Sequence, residues 1–193
     1  VGFSLGGNIV LKAAGETADD PLPNLHAVAA LAPPIHVSRC VEMISHRDNW
    51  IYELNFLREL TSLARRRARF FPDMPCPRFP PRLKLREFDD LYTAPRGGFR
   101  DSADYYERSA ALPHVPRIRV PTYVLTARDD PFIAVEPFEK LECPSNVLVE
   151  IVEKGGHLGF LGWDGRGGIR WAERRLADWV IAAQDPAGLC HVR

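Results

Sequence analysis

The sequence predicts an α/β chain in which a mostly parallel sheet is interrupted by a long helical insertion. Three observations carry this. Short apolar runs bounded by proline or glycine recur at 26–32, 121–126 and 146–152, as buried parallel strands do. A G-x-S-x-G pattern, Gly2-Phe3-Ser4-Leu5-Gly6, builds a tight strand-to-helix turn that presents a serine at a strand end. The segment 168–183 closes the chain with an amphipathic helix.

The elements follow in order. The two glycines of the pattern allow strand and helix to approach closely, and Asn8 to Ala14 continues as a helix ended by Gly15. Pro21-Leu22-Pro23-Asn24 is a turn, and the strand from His26 to Ala32 is stopped by Pro33-Pro34. An excursion of about 85 residues then intervenes, far longer than an ordinary crossover. It predicts a helix from Asn49 to Phe71, with Ile51, Leu54, Leu57, Leu60 and Leu63 on one drifting stripe. Pro72 ends this helix, and five prolines between 72 and 81 make a stiff loop. A second helix starts with Asp101 or Ser102 as N-cap and runs through Tyr105 and Tyr106 to Ala111. With its flanks the helical insertion spans about 36–116, as a lid or a packing insert over the sheet. The last helix sets Ile169, Ala172, Leu176, Trp179, Val180 and Ala183 against a charged face of Arg170, Glu173, Arg174, Arg175 and Asp178.

Composition excludes several classes. With 25 basic and 25 acidic residues the formal charge is zero, so no global field favours nucleic acid. No apolar run is long enough to span a membrane. Cys40, Cys76, Cys143 and Cys190 are widely spaced, with no C-x-x-C pair; that reads as reduced cytosolic thiols, with neither a disulfide frame nor a zinc site. The histidines His26, His36, His46, His114 and His191 show no metal-ligand spacing, and no phosphate-binding glycine pattern occurs. No metal and no cofactor is expected. The dense Arg65, Arg66, Arg67 and Arg69 run reads as a solvated helix end, with anionic lipid headgroups or acidic substrates as the alternative partner.

The chemistry-bearing residues come in a set order. A serine hydroxyl is a weak nucleophile until a base takes its proton, and the base needs an orienting acid. Behind Ser4 come Asp129-Asp130-Pro131-Phe132 after one strand and Gly155-Gly156-His157 after the next. Acid and base thus emerge at strand carboxyl ends, where open α/β sheets place their sites. Ser4 is the candidate nucleophile, His157 the base, and Asp129 or Asp130 the acid. The helix beginning after Ser4 aims its N-terminal N–H groups at the serine, and the Leu5 N–H is placed to hold an oxyanion.

Gly2-Phe3-Ser4-Leu5-Gly6-Gly7-Asn8, Phe88-Asp89-Asp90-Leu91-Tyr92-Thr93-Ala94-Pro95, Gly98-Phe99 with Tyr105-Tyr106, Asp129-Asp130-Pro131-Phe132 and Gly155-Gly156-His157-Leu158-Gly159-Phe160 together resemble the YheT-like α/β-hydrolases. That group includes ABHD-type lipases and medium-chain ester synthases. The resemblance implies the C-terminal part of an α/β-hydrolase fold with a lid-like helical insertion. It also implies a serine esterase or lipase-like enzyme acting on small-molecule, often lipid-like, carboxylic esters through an acyl-enzyme. Ser4, Asp130 and His157 would form the triad, Asp130 matching the family's acid because it directly precedes the Pro-Phe step. An alcohol O-acyltransferase using the same triad and a non-catalytic binding scaffold are the competing readings. Because the pattern begins at residue two, the expectation is an N-terminal truncation that leaves a stub of the elbow strand and three further strands. A second oxyanion donor from an early H-G loop would then be missing, and the 193 residues alone would be weakly active or inactive. Tyr105, Tyr106, Phe70, Phe71 and Trp50 are candidate lining for an acyl pocket, or simply core.

Overall fold

A computed structural model describes residues 1–163 and 168–183; Cys190 and His191 lie outside the described residues. In chain order the elements are β1 (Gly2–Phe3), α1 (Leu5–Glu16), β2 (Val28–Leu31), α2 (Val37–Ile44), α3 (Trp50–Phe70), α4 (Leu85–Phe88), α5 (Ala94–Gly97), α6 (Ser102–Ser109), β3 (Thr122–Ala127), α7 (Glu136–Glu139), β4 (Val147–Val152) and α8 (Trp171–Ala182). They form two compact units, one of residues 1–36 with the described residues from 110 onward, the other of residues 37–109.

The first unit is a four-stranded sheet in the order β1-β2-β3-β4, and every pairing in it is parallel. Parallel sheets are covered on both faces, so their strands carry no polar alternation. β2 and β3 are buried at every residue, which is why both read as unbroken apolar runs. α8 docks on this sheet through Ala172, Leu176 and Trp179. The Trp179 ring stacks on Tyr123 with centroids 5.6 Å apart. Arg175 donates to Glu150 Oε2 at 3.0 Å, and the Tyr123 hydroxyl donates to the same oxygen at 2.6 Å. Ile169, expected on the buried stripe, precedes the helix and is exposed.

Two helix expectations are corrected by packing. Gly15 does not end α1; it lies inside the helix, where an added Cβ would stand 2.2 Å from the His114 carbonyl oxygen. It is a contact glycine. In α3 the buried side is Glu53, Leu57 and Ala64, whereas Ile51, Leu54 and Leu63 are exposed. A repeat of three falls about 60° short of a full turn at each step, so that stripe wound off the face. The buried residues are spaced by four and seven, and hold it.

The second unit is helical and organised by buried carboxylates. Glu53 is 4% exposed and accepts from Ser45 Oγ at 2.7 Å, Lys84 Nζ at 2.7 Å and the Leu85 N–H at 3.2 Å. Burial pushes its pKa up, but these donors outweigh burial and hold the carboxyl below its usual range. The Phe88–Pro95 segment runs from α4 through a π-helical turn at Asp89–Thr93 into α5. Asp89 is buried there and accepts from the Tyr106 hydroxyl at 2.7 Å. Asp90 accepts from the Ser102 N–H at 2.7 Å, and Asp101 accepts from the Asp104 N–H at 2.8 Å as the N-cap of α6. α6 ends at Ser109, two residues short of the sequence expectation. Of the aromatics proposed to line a pocket, Tyr106 is core, while Trp50, Phe70 and Phe71 are exposed.

Burial is the largest influence on Asp89 and raises its pKa, against the opposing hydrogen bonds from Thr93 and Tyr106. A raised carboxyl binds its proton more tightly in the folded state. Its contribution is therefore complete below the unfolded pKa, about 3.9, and is lost as pH rises through the folded value. Asp89→Asn keeps an acceptor for Tyr106 without the charge. It is expected to lift the melting midpoint at pH 7.5 more than at pH 4.5; parallel melting profiles for wild type and variant at the two pH values would refute this.

Candidate active site

Ser4 stands between β1 and α1 with φ 49° and ψ −124°, a region that costs a non-glycine residue about 1–3 kcal/mol. Its backbone is nevertheless over-determined. The Ser4 N–H donates to the Leu31 carbonyl at 2.8 Å, and the Ser4 carbonyl accepts from Gly7 at 2.8 Å and Asn8 at 3.2 Å. The helix start thus locks the turn from one side and the sheet ladder from the other.

The glycines that permit this turn are only partly those of the pattern. A Cβ on Gly2 would lie 2.3 Å from the Gly6 carbonyl oxygen, and one on Gly7 would meet Pro33 Cβ at 3.0 Å. At Gly6 an added Cβ meets nothing within 4 Å. Close approach is therefore required at Gly2 and Gly7, and the expectation that Gly6 serves it is corrected. Gly6 contributes its backbone carbonyl to the contact, not its missing side chain.

Although Ser4 occupies the N-cap position of α1, its hydroxyl does not cap the helix. Ser4 Oγ lies 2.8 Å from His157 Nε2, and His157 Nδ1 lies 2.9 Å from Asp130 Oδ2. A carboxylate only accepts, so Nδ1 carries the proton and Nε2 accepts from the serine hydroxyl. Asp130 is 3% exposed. Its second oxygen, Oδ1, accepts from the N–H groups of Phe132 at 2.8 Å and Ile133 at 3.1 Å, which compensates the burial of the charge. The Phe132 and His157 rings pack edge-to-face with centroids 5.0 Å apart.

The neighbouring acid does something else. Asp129 is exposed, and its Oδ1 accepts from the Gly155 and Gly156 N–H groups, each at 2.8 Å. Those two donors are the main cause holding its carboxyl below the usual carboxylate range. Sequence reasoning missed this function and the Phe132 and Ile133 donors alike. The only available signal was the D-D-P-F spacing, which puts two acids and a turn after one strand.

The loop bearing His157 is shaped by packing. Gly156 has φ 59°, and a Cβ on Gly155 would meet the Phe160 ring at 2.6 Å and Ala127 Cβ at 2.9 Å. Phe160 is buried and its N–H returns to the Gly155 carbonyl at 2.8 Å. At the other end of the site Leu5 opens α1. As the first helical residue its N–H has no acceptor within the helix. Among the described residues no group of three or more His, Cys, Asp or Glu is arranged to hold a metal ion, and no helix is long and apolar enough to cross a membrane.

Known proteins are similar to this chain. The candidate esterase YheT of Escherichia coli is 34% identical over 185 residues, covering 93% of this chain and 54% of its own length. The chain thus spans about half the length of that relative. A medium-chain fatty acid ethyl ester synthase/esterase of Saccharomyces cerevisiae is 37% identical over 95 residues, 49% of this chain and 20% of its own. Mouse phospholipase ABHD3 is 27% identical and covers 83% of this chain and 39% of its own. The solved structure of a Paleococcus ferrophilus monoacylglycerol lipase covers 94% of this chain and 67% of its own at 18% identity, with a TM-score of 0.45. Residues 1–162 match the family model described as the alpha/beta hydrolase fold, and with an all-parallel sheet and a serine turn at the head of its first helix, the chain belongs to the alpha/beta hydrolase fold family.

Proposed function

We infer that this protein is a serine hydrolase of carboxylic esters, with Ser4 as nucleophile, His157 as base and Asp130 as orienting acid. The observation that carries this reading is the unbroken pair of contacts, 2.8 Å from Ser4 Oγ to His157 Nε2 and 2.9 Å from His157 Nδ1 to Asp130 Oδ2. The helix-capping alternative for the Ser4 hydroxyl is not used. Relatives named as esterases, ester synthases and lipases support a small-molecule ester, lipid-like in part, as substrate.

The chemistry follows from the geometry. His157 Nε2 takes the hydroxyl proton as Ser4 Oγ attacks the ester carbonyl, and Asp130 stabilises the imidazolium that results. The Leu5 N–H, at the positive end of α1, faces the charge that develops on the carbonyl oxygen. Collapse of the tetrahedral intermediate passes the same proton from Nε2 to the departing alkoxide, leaving acyl-Ser4. Water then attacks the acyl carbonyl, giving a proton to His157, which passes it to Ser4 Oγ as the acyl–oxygen bond breaks and the carboxylic acid leaves.

Tests use the protein as encoded, including any sequence that flanks these residues. A fluorophosphonate probe is expected to label the wild type and not Ser4→Ala, whose ester turnover should fall by about 10⁴ or more. Equal labelling of both would exclude Ser4 as nucleophile, and an unlabelled wild type would favour a non-catalytic scaffold. Asp130→Asn is expected to reduce kcat by roughly 10⁴ because it favours the wrong imidazole tautomer, as read from single-turnover acylation; a loss below tenfold would remove Asp130 from the triad.

A second reading is alcohol O-acyltransfer, favoured by the ester synthase/esterase among the relatives. An alcohol would replace water in the second step. With ethanol as competing acceptor, a hydrolase releases mainly free acid, whereas an acyltransferase forms the ethyl ester in preference. Chromatographic separation of the two products decides it.

A further inference from the structure

The sheet order imposes a long reach on the base. β1 and β4 are the two outer strands, three strand spacings or about 14 Å apart. Ser4 follows β1, whereas His157 follows β4. To bring Nε2 within 2.8 Å of Ser4 Oγ, the loop after β4 must lean back over the ends of β3 and β2. It does so through a segment containing Gly155, Gly156 and Gly159, residues that lose the most conformational freedom on ordering. The last ladder contact, from the Arg128 N–H to the Val152 carbonyl at 2.9 Å, ends well before the histidine. Something beyond the sheet has to hold the loop.

We propose that Asp129 is a positioning residue for the reaction: by bridging the Gly155 and Gly156 N–H groups, its carboxylate holds the His157 loop on the end of β3 and keeps the imidazole within reach of Ser4. The proposal rests on the Ser4–His157–Asp130 reading above. The two consecutive acids divide the work. Asp130 orients the imidazole ring through Nδ1, while Asp129 places the backbone from which that ring projects. Asp129 Oδ1 sits 2.8 Å from each nitrogen, so a single oxygen with two lone pairs closes both bonds. The Phe160 ring and Ala127 occupy the space a Gly155 side chain would need. Gly155 thus packs against Ala127 at the end of β3 and against Phe160 on its apolar side, as Asp129 fastens the loop from the polar side. Those N–H donors also keep the Asp129 carboxyl below its ordinary range. The carboxylate form therefore persists above about pH 3.9, and as pH falls through the lowered value the carbonyl oxygen that remains is still an acceptor for the loop.

This assigns Asp129 a requirement for an acceptor oxygen, not for a charge. Asn supplies that oxygen and Ala does not. Because the side chain is exposed, neither change is expected to impair folding, which melting curves check directly. In the protein as encoded, Asp129→Ala should lower kcat for a soluble ester roughly 10- to 100-fold, the scale of a small misplacement of a catalytic group, with KM changed by less than about twofold. Asp129→Asn should restore kcat to within about threefold of wild type. Amide hydrogen exchange at Gly155 and Gly156 should quicken in the Ala variant and not in the Asn variant. An Ala variant that turns over like wild type, an Asn variant as impaired as Ala, or a change confined to KM would each overturn the proposal. A wild-type protein that fluorophosphonate does not label would bring down the triad reading and this one with it. A labelled wild type with an equally fast Ala variant would sink the positioning role alone.

Discussion

The candidate site depends on one spatial constraint: Ser4 and His157 must meet although they leave the sheet from opposite outer strands. Parallel pairing puts all the carboxyl ends on one edge, which makes the meeting possible but leaves the lateral gap of about 14 Å. The chain closes that gap from both sides. Ser4 is thrust out of line by a strained turn, and the His157 loop is bent back over β3. Asp130, in the turn after β3, binds the imidazole from the strand end next to β4.

The strained turn is affordable because its surroundings leave it no easier conformation. Relaxing Ser4 to an ordinary φ would surrender the Leu31 ladder bond and the two helix-start bonds to its carbonyl, each worth about 0.5–1.5 kcal/mol. That sum is comparable to the cost of the conformation itself, about 1–3 kcal/mol. A side chain at Gly2 would break the balance by pushing the first helical turn off the strand. The presentation of the serine hydroxyl is thus a consequence of backbone contacts at Gly2, Gly7, Asn8 and, across the sheet, Leu31.

Much of the sheet was legible in the sequence because parallel strands carry largely apolar residues, and β2, β3 and β4 have them, with Thr122, Thr126 and Glu150 the exceptions, at or within two residues of the expected positions. The order Ser4, Asp130, His157 was legible for a topological reason, since each residue follows its own strand. The choice between Asp129 and Asp130 had no basis in pattern without the resemblance, because the two side chains differ only in direction. The face of α3 was misjudged because Leu and Ile at intervals of three look like a stripe when read along the chain and form a spiral on a helix. Gly6 was given the role that belongs to Gly7, since the motif marks which residues recur around a serine turn and not which of them lacks room for a Cβ.

Two consecutive-aspartate pairs show the same division, and burial explains it. In Asp89-Asp90 the buried acid binds a side-chain hydroxyl, that of Tyr106, and the exposed acid binds a backbone N–H, that of Ser102. In Asp129-Asp130 the buried acid binds the His157 ring and the exposed acid binds the backbone of Gly155 and Gly156. Adjacent side chains diverge in direction, so one carboxylate turns into the protein as its neighbour turns along the surface. The inward carboxylate of each pair finds a polar group carried on a packed ring, the Tyr106 hydroxyl or the His157 imidazole, and Asp130 adds the Phe132 and Ile133 N–H groups on its other oxygen. The outward one finds the N–H groups of a loop or helix start. A pair of acids after a strand or within a helical turn can therefore fix a side chain and the main chain at once, and the two jobs are chemically distinct. One needs a group that stays in a defined orientation against a ring; the other needs only an acceptor at the right place.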